Sequence, residues 1–392
     1  MTPDPPPTPV RLAFPLIGGP HQVFHTAPVA AALSAAYPEA SVAVLAADPR
    51  SLALAERAAG FYPGARLRLD LLAPSAPGEL AVRLTGRRAA AKLPLLWRNR
   101  RRLQRFDAIV VPECTSASLR RMGVKTPRLI CIPHGAGDRA VSFEPRFRRF
   151  DRVLVAGDKT ARRMIESGVP AERVETVGYP KAGLVRRMAA APPDLFGNGR
   201  PVVLYNPHFR RNLSSLASAR SILADFAAQD RFNLIFAPHL RASEEASPAE
   251  RREWESLAAP GRIIVDLGSD RLVDMTYPAA ADIYLGDVSS QVYEFLLSPR
   301  PCVFVDAHSV DWRPDPDYAF WRLGEVASPA GVLAAVARAP SRHGDYLAAQ
   351  REAIAETFGD QTDPAARAAR AIMRDLCSQR SDGIDAESAG RA

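Results

Sequence analysis

Seven histidines are spread through the 392-residue chain. Three of them directly follow short apolar runs, where a strand delivers its last side chains to a loop. His134 follows Arg128–Ile132, His208 follows Val202–Tyr205, and His239 follows Leu234–Phe236. An imidazole titrates near neutrality, so it can take a proton from a hydroxyl or donate a hydrogen bond to an anion. His134 opens the run Gly135-Ala136-Gly137-Asp138-Arg139, whose glycines leave room for a substrate against the backbone. The alternative there is a histidine that caps a loop. His208 sits in Asn206-Pro207-His208-Phe209-Arg210-Arg211, and the adjacent Arg210 and Arg211 suit phosphate oxygens. A solvated arginine pair is the other reading. For His239 the alternative is a ring satisfied by its own loop backbone.

The run Leu285-Gly286-Asp287-Val288-Ser289-Ser290-Gln291 reads as a strand ending and a helix starting. A helix start offers free N–H groups and positive potential, which suits a diphosphate. Ser289 and Ser290 add hydroxyl donors, and Glu294 can accept from ribose hydroxyls. Ordinary helix capping by the serines and Asp287 is the alternative. Two further loops qualify. Gly18-Gly19-Pro20-His21, followed by Val23-Phe24-His25, turns from a strand into a helix. Gly178-Tyr179-Pro180-Lys181 forms a tight turn whose lysine either touches a phosphate or is solvated.

These loops must be held by alternating elements. Arg11–Leu16, Ser41–Ala46, Ala108–Val111, Arg128–Ile132 and Val153–Val155 read as buried strands, short and mostly apolar. Alanine-rich helical stretches, Ala27–Ala36, Leu52–Ala59 and Lys159–Ser167 among them, lie between. The proline- and glycine-dense stretch 192–201 is a linker. The alternation then restarts with Val202–Tyr205, Leu234–Phe236, Ile263–Val265, Ile283–Leu285 and Cys302–Val305. The expected architecture is α/β, with two Rossmann-like doubly wound domains facing a cleft. The expected domains are 1–190 and 201–345, followed by C-terminal helices over 346–377 and a disordered tail over 378–392.

A hydrophobic fraction of 47% with 24% charged residues is globular and excludes a wholly disordered chain. The net charge of +8 favours anionic partners. No apolar run is long enough to span a bilayer, and no signal peptide is read at the start. Cys114, Cys131, Cys302 and Cys377 are widely spaced, which argues against a cysteine zinc site and fits a reducing cytoplasm. No metal site, cofactor or nucleic-acid partner is expected. From Arg87 to Arg105, eight basic residues interleave with Leu93, Leu95, Leu96, Trp97, Leu103 and Phe106. That is either an amphipathic segment for an anionic membrane surface or a solvated helix packed by its apolar side. Pro94 is expected to kink or break it.

Taken in order, His134-Gly135, Gly178-Tyr179-Pro180-Lys181, Leu204 to Arg210, Pro238-His239, Asp287-Val288-Ser289-Ser290 and Arg300-Pro301 resemble the CDP-glycerol glycerophosphotransferase family. These are the teichoic-acid-type polymerases and primases, of GT-B architecture. The resemblance runs from about Ile130 through the second domain and into Phe358-Gly359-Asp360-Gln361-Thr362-Asp363. It implies transfer of glycerol phosphate, or a related polyol or sugar phosphate, from a CDP-activated donor to a hydroxyl acceptor, with release of CMP. The acceptor would be lipid-linked or a growing capsule- or teichoic-acid-like polymer, handled in the cytoplasm or at the inner membrane face. It makes His134 the base and sets His239 on the donor diphosphate. Arg210, Arg211, Asp287, Ser289 and Ser290 would hold the donor phosphates and Glu294 the ribose, with the acceptor on domain 1–190 and the donor on domain 201–345. Arg139 falls where the family tends to have a lysine, and Gly135, His21, Lys181 and His208 are further candidate substrate contacts. The chain departs from the family at Asn206-Pro207-His208-Phe209 and at Lys181-Ala182-Gly183. UDP-N-acetylglucosamine 2-epimerases share the architecture and are the alternative, with Glu113 as a candidate carboxylate. Another GT-B glycosyltransferase or a non-catalytic nucleotide- or glycan-binding module also remains open.

Overall fold

A computed structural model describes residues 9–85, 88–134, 145–184, 186, 192–289 and 291–389. Gly135, Arg139, Arg87 and Ser290 lie outside the described residues. The chain divides into two compact units, each built on one sheet.

The first unit holds seven parallel strands in the order β3-β2-β1-β4-β5-β6-β7. They are β1 (Arg11–Leu16), β2 (Ser41–Ala46), β3 (Leu67–Leu71), β4 (Ala108–Val111), β5 (Arg128–Cys131), β6 (Arg152–Val155) and β7 (Val174–Thr176). The central strands are buried almost end to end, as parallel strands covered on both faces must be. The covering helices include α1 (Val23–Ala36), α2 (Pro49–Ala59), α3 (Ala76–Thr85), α4 (Lys92–Leu103) and α5 (Asp158–Glu166). The basic stretch divides into a 3-10 turn, Arg88–Ala91, and α4. Pro94 stands in the first turn of α4, where its missing N–H has no intrahelical partner to lose, so the helix runs on through it.

The second unit contains Leu184–Thr357 and a six-stranded parallel sheet in the order β10-β9-β8-β11-β12-β13. Its strands are β8 (Val202–Asn206), β9 (Asn233–Phe236), β10 (Ile263–Val265), β11 (Ile283–Gly286), β12 (Cys302–Val305) and β13 (Glu325–Ala327). Cys131 and Cys302 are buried free thiols in β5 and β12, and burial pushes both toward the protonated form.

The C-terminal helices are divided differently from the sequence reading. The helix Val332–Phe358 starts inside 201–345 and stays with the second unit as far as Thr357. From Phe358 onward the chain belongs to the first unit. The helix Pro364–Ala389 continues past residue 377, where a disordered tail is expected from the sequence. Asp375 anchors this helix, accepting from Arg128 Nε at 2.8 Å and from Arg152 Nε at 2.8 Å. Gly178 makes the approach possible: its φ is +84°, and a Cβ there would lie 2.7 Å from the Asp360 carbonyl oxygen. Gln361 Oε1 accepts from the Tyr179 N–H at 3.1 Å, and the Tyr179 ring stacks on Phe358. The Gly-Tyr-Pro-Lys turn and the Phe-Gly-Asp-Gln turn are therefore two halves of one joint.

Candidate functional site

In the first unit, β5 ends at Cys131 and delivers His134 beside the end of β4. The Pro112 carbonyl accepts both the His134 N–H at 3.0 Å and its ring Nδ1 at 2.6 Å. A carbonyl oxygen only accepts, so Nδ1 carries the proton and the neutral ring keeps its lone pair on Nε2. The residue is exposed to solvent, yet its ring is crowded enough that desolvation lowers its pKa. The hydrogen bond that Nδ1 donates to the Pro112 carbonyl and the charge of Glu113 oppose that shift without reversing it.

Two more histidines face this ring. His21 lies in the 3-10 turn Pro20–Gln22, with its ring centroid 5.6 Å from that of His134. His25 lies in the first turn of α1, at 6.0 Å, and also touches Tyr179 edge-on at 5.6 Å. The spacing of four residues puts both on one face of the chain as it winds into the helix. His25 is buried and its pKa is well below the ordinary value, first by desolvation and then by the charges of Lys181, His134 and His21. Lys181, read from sequence as solvated or on a phosphate, is buried in this group. The structure thus brings His21, His134 and Lys181 together and adds His25. The signal for His25 was its distance of four from His21. Gly18 has a packing reason: a Cβ there would sit 1.9 Å from Gln22 Oε1, so its bareness makes room for that side chain.

Glu113 spends its carboxylate on the turn that follows β4. It accepts from the Thr115 N–H at 2.7 Å, the Ser116 N–H at 3.1 Å and the Ser116 hydroxyl at 2.5 Å.

In the second unit the ends of β8, β9 and β11 converge. The His208 ring Nδ1 accepts the Arg210 N–H at 3.1 Å, and the His239 ring Nδ1 accepts the Arg241 N–H at 3.2 Å. In both neutral rings the proton therefore stands on Nε2, the reverse of His134. The two centroids are 5.9 Å apart, and Phe209 packs against both rings. The Arg241 guanidinium lies 4.0 Å from the Phe209 centroid. Arg210 and Arg211 are exposed at the loop, and Arg211 approaches Glu250 at 3.5 Å. This group holds donors and cations at the strand ends, the equipment for an anion.

Asp287 is not available to a ligand. It is buried, and its Oδ1 accepts the His208 N–H at 2.8 Å and the Val288 N–H at 2.7 Å. Its Oδ2 accepts the Ser215 N–H at 2.6 Å and the Ser215 hydroxyl at 2.8 Å. The aspartate fastens the 208–215 loop to the end of β11. Ser289 is also buried, and its hydroxyl donates to Asn206 Oδ1 at 3.0 Å while Asn206 Nδ2 donates to the Ala237 carbonyl at 2.6 Å. Asn206 thereby ties three strand ends, through bonds to residues 31 and 83 positions away that no local pattern contains. The following helix, Gln291–Phe295, has five residues, so few peptide dipoles add at its start. Glu294 is buried within it. Among the described residues no group of three or more His, Cys, Asp or Glu side chains is arranged to hold a metal ion.

Two parallel-sheet units with functional groups at the carboxyl ends of their strands define a two-domain α/β fold of GT-B type. No protein-family model matches the chain, and no curated protein is matched by its sequence. Solved structures do match the fold. A histidine-to-asparagine variant of the wall teichoic acid polymerase TagF with CDPG has TM-score 0.61 at 13% identity, covering 94% of this chain and 89% of that one. A putative UDP-N-acetylglucosamine 2-epimerase from Listeria monocytogenes also has TM-score 0.61 at 13% identity, covering 95% and 97%. The UDP-GlcNAc 2-epimerase of Neisseria meningitidis bound to UDP-GlcNAc has TM-score 0.55 at 13% identity, covering 94% and 99%.

Proposed function

We infer that the protein is a transferase that moves glycerol phosphate, or a related polyol or sugar phosphate, from a CDP-activated donor to a hydroxyl acceptor, releasing CMP. The observation that carries the reading is the contrast between histidines. His134 holds its proton on Nδ1 and offers a lone pair on Nε2, the form a general base needs. His208 and His239 hold theirs on Nε2, the form that donates to a phosphate oxygen. Phosphoryl transfer to an alcohol needs both: removal of the hydroxyl proton and stabilisation of charge on the phosphate.

This reading divides the work. His134 takes the acceptor proton, and its lowered pKa keeps it unprotonated at neutral pH. His208, His239 and Arg210 hold the donor phosphates, with Ser290 an added donor; Ser289 and Asp287 shape the loop rather than touch the ligand. The likeness to TagF supports the fold for such chemistry. The test supplies CDP-glycerol with a glycerol-phosphate acceptor and follows CMP. His134→Ala is expected to lower turnover by about 10²–10⁴ with donor affinity nearly unchanged. His239→Ala is expected to weaken donor binding as well.

The equal TM-score of the Listeria epimerase favours a second reading, epimerisation of a nucleotide sugar. Glu113, the carboxylate named for it, is committed to its turn. An epimerised UDP-N-acetylglucosamine with no CMP from CDP-glycerol would replace the first reading by the second.

A further inference from the structure

Five exposed large apolar side chains of the first unit lie on β3, α3 and α4, with Ile165 on α5 apart from them. Leu71 at the end of β3, Leu80 and Leu84 on α3, and Leu93 and Trp97 on α4 are 47%, 56%, 77%, 46% and 53% exposed. Leu80 and Leu84 are four residues apart, as are Leu93 and Trp97, so each pair forms a stripe on one face of its helix. The two helices pack against each other. Beside them lies an open groove of about 900 Å³, lined by Pro74, Pro77, Leu93, Trp97, Arg101 and Met122 among others. Leu95, Leu96, Leu103 and Phe106, which interleave with the arginines in sequence, are buried in the core of the unit. What α4 leaves outside is narrower: two large apolar residues and a run of arginines.

The charge around the stripes is one-sided. Between residues 71 and 105 the chain has nine arginines and lysines and a single acid, Glu79. Arg102 is paired with Asp70, and Arg100 lies over the Trp97 ring at 3.8 Å. Arg98, Arg101 and Arg105 are exposed, and among the described residues no carboxylate pairs with them. Exposed leucines and a tryptophan bordered by unpaired arginines complement a surface that is apolar inside and anionic at its face.

We propose that α3 and α4 form a docking face for an anionic phospholipid bilayer, with Leu80, Leu84, Leu93 and Trp97 entering the interface and Arg98, Arg101 and Arg105 meeting lipid phosphates. The inference stands apart from the transferase reading, because its readout involves no turnover. The full chain is incubated with vesicles of phosphatidylcholine alone and of phosphatidylcholine mixed with phosphatidylglycerol. It sediments with the mixed vesicles at low salt and is released as salt rises. Trp97 emission shifts to the blue on binding, and Trp97→Phe removes that component. Arg98→Ala with Arg101→Ala weakens partitioning about thirtyfold, roughly fivefold per arginine. Leu84→Asp abolishes the blue shift. Ile165→Asp, at an exposed position on α5, leaves binding unchanged and controls for a general effect of an added charge. Equal binding to both vesicle types, no binding, or unchanged binding by the arginine and leucine variants overturns the proposal. So does a dimer, in sedimentation velocity, that Leu84→Asp converts to monomer without any vesicle binding.

Discussion

Asp287→Asn separates an aspartate that fastens a loop from one that binds a ligand. The two carboxylate oxygens divide their bonds cleanly: Oδ1 serves the His208 and Val288 N–H groups, and Oδ2 serves the Ser215 N–H and hydroxyl. An asparagine keeps only one acceptor atom, so its NH2 must face N–H donors on one side. If it faces Ser215, the hydroxyl can turn to the Tyr205 oxygen at 2.9 Å, but the backbone N–H is stranded in a buried site. A stranded buried donor costs about 1–3 kcal/mol, and the bonds that remain lose their charge assistance, about 1 kcal/mol each. Part of this is returned, because burial raises the Asp287 pKa and the neutral amide escapes that desolvation. The expected net loss is about 2–4 kcal/mol. Urea unfolding followed by tryptophan emission measures it in a Trp97→Phe background, where Trp254, Trp312 and Trp321 all report the second unit. Trp321 is well placed, since its Nε1 donates to the Asp287 carbonyl at 2.9 Å. An unchanged midpoint combined with weakened donor binding would refute the fastening role and return Asp287 to the ligand.

Three further outcomes are expected. Asp375→Asn should cost about 2 kcal/mol in thermal or urea unfolding, between the exposed and buried ranges, since Arg128 keeps Asp151 at 3.7 Å. Burial works to raise the Asp375 pKa, but the bonds and charges of Arg128 and Arg152 outweigh it and the net shift is downward. Its stabilisation is therefore present above the unfolded carboxyl pKa of about 3.9 and fades as pH falls through the lower folded value, a loss the variant should not show. His25 stays neutral in the fold while the unfolded chain takes up a proton below about pH 6.5, so stability should fall on acidification from there, by at most about 1.4 kcal/mol per pH unit. His25→Phe should flatten that slope in urea midpoints taken from pH 7 downward. Gly178→Ala puts a Cβ at positive φ against the Asp360 carbonyl and should lower the melting temperature, at a cost of about 1–3 kcal/mol.

Which strands were legible follows from where they lie. Ten of the thirteen strands among the described residues are legible to within a residue or so, because buried strands are short apolar runs that announce themselves. The three that were missed, Leu67–Leu71, Val174–Thr176 and Glu325–Ala327, are all edge strands. An edge strand has less to bury: Leu67-Arg68-Leu69-Asp70-Leu71 alternates charge with leucine, and Val174-Glu175-Thr176 holds one clearly apolar residue. Their assignment comes from a neighbour's hydrogen bonds, which no local pattern contains.

The same limit governs the candidate sites. His134 was legible because a strand end, a histidine and glycines are adjacent in sequence, and chemistry that depends on adjacency can be read there. The partners of Asp287 were out of reach for the opposite reason. Its neighbours spell out a helix start, but its carboxylate bonds to Ser215, 72 residues away, and to His208, 79 residues away. The protonation of the histidines was equally out of reach, although it carries the functional argument. Whether a ring offers a lone pair or a proton at Nε2 depends on what holds Nδ1. For His134 that is a carbonyl 22 residues earlier, at the end of a neighbouring strand. For His208 and His239 it is the backbone N–H two residues on, which follows once each histidine is known to start a turn. Residue type and spacing thus located the histidines, and the backbone group that meets each Nδ1 decides which ring nitrogen carries the proton.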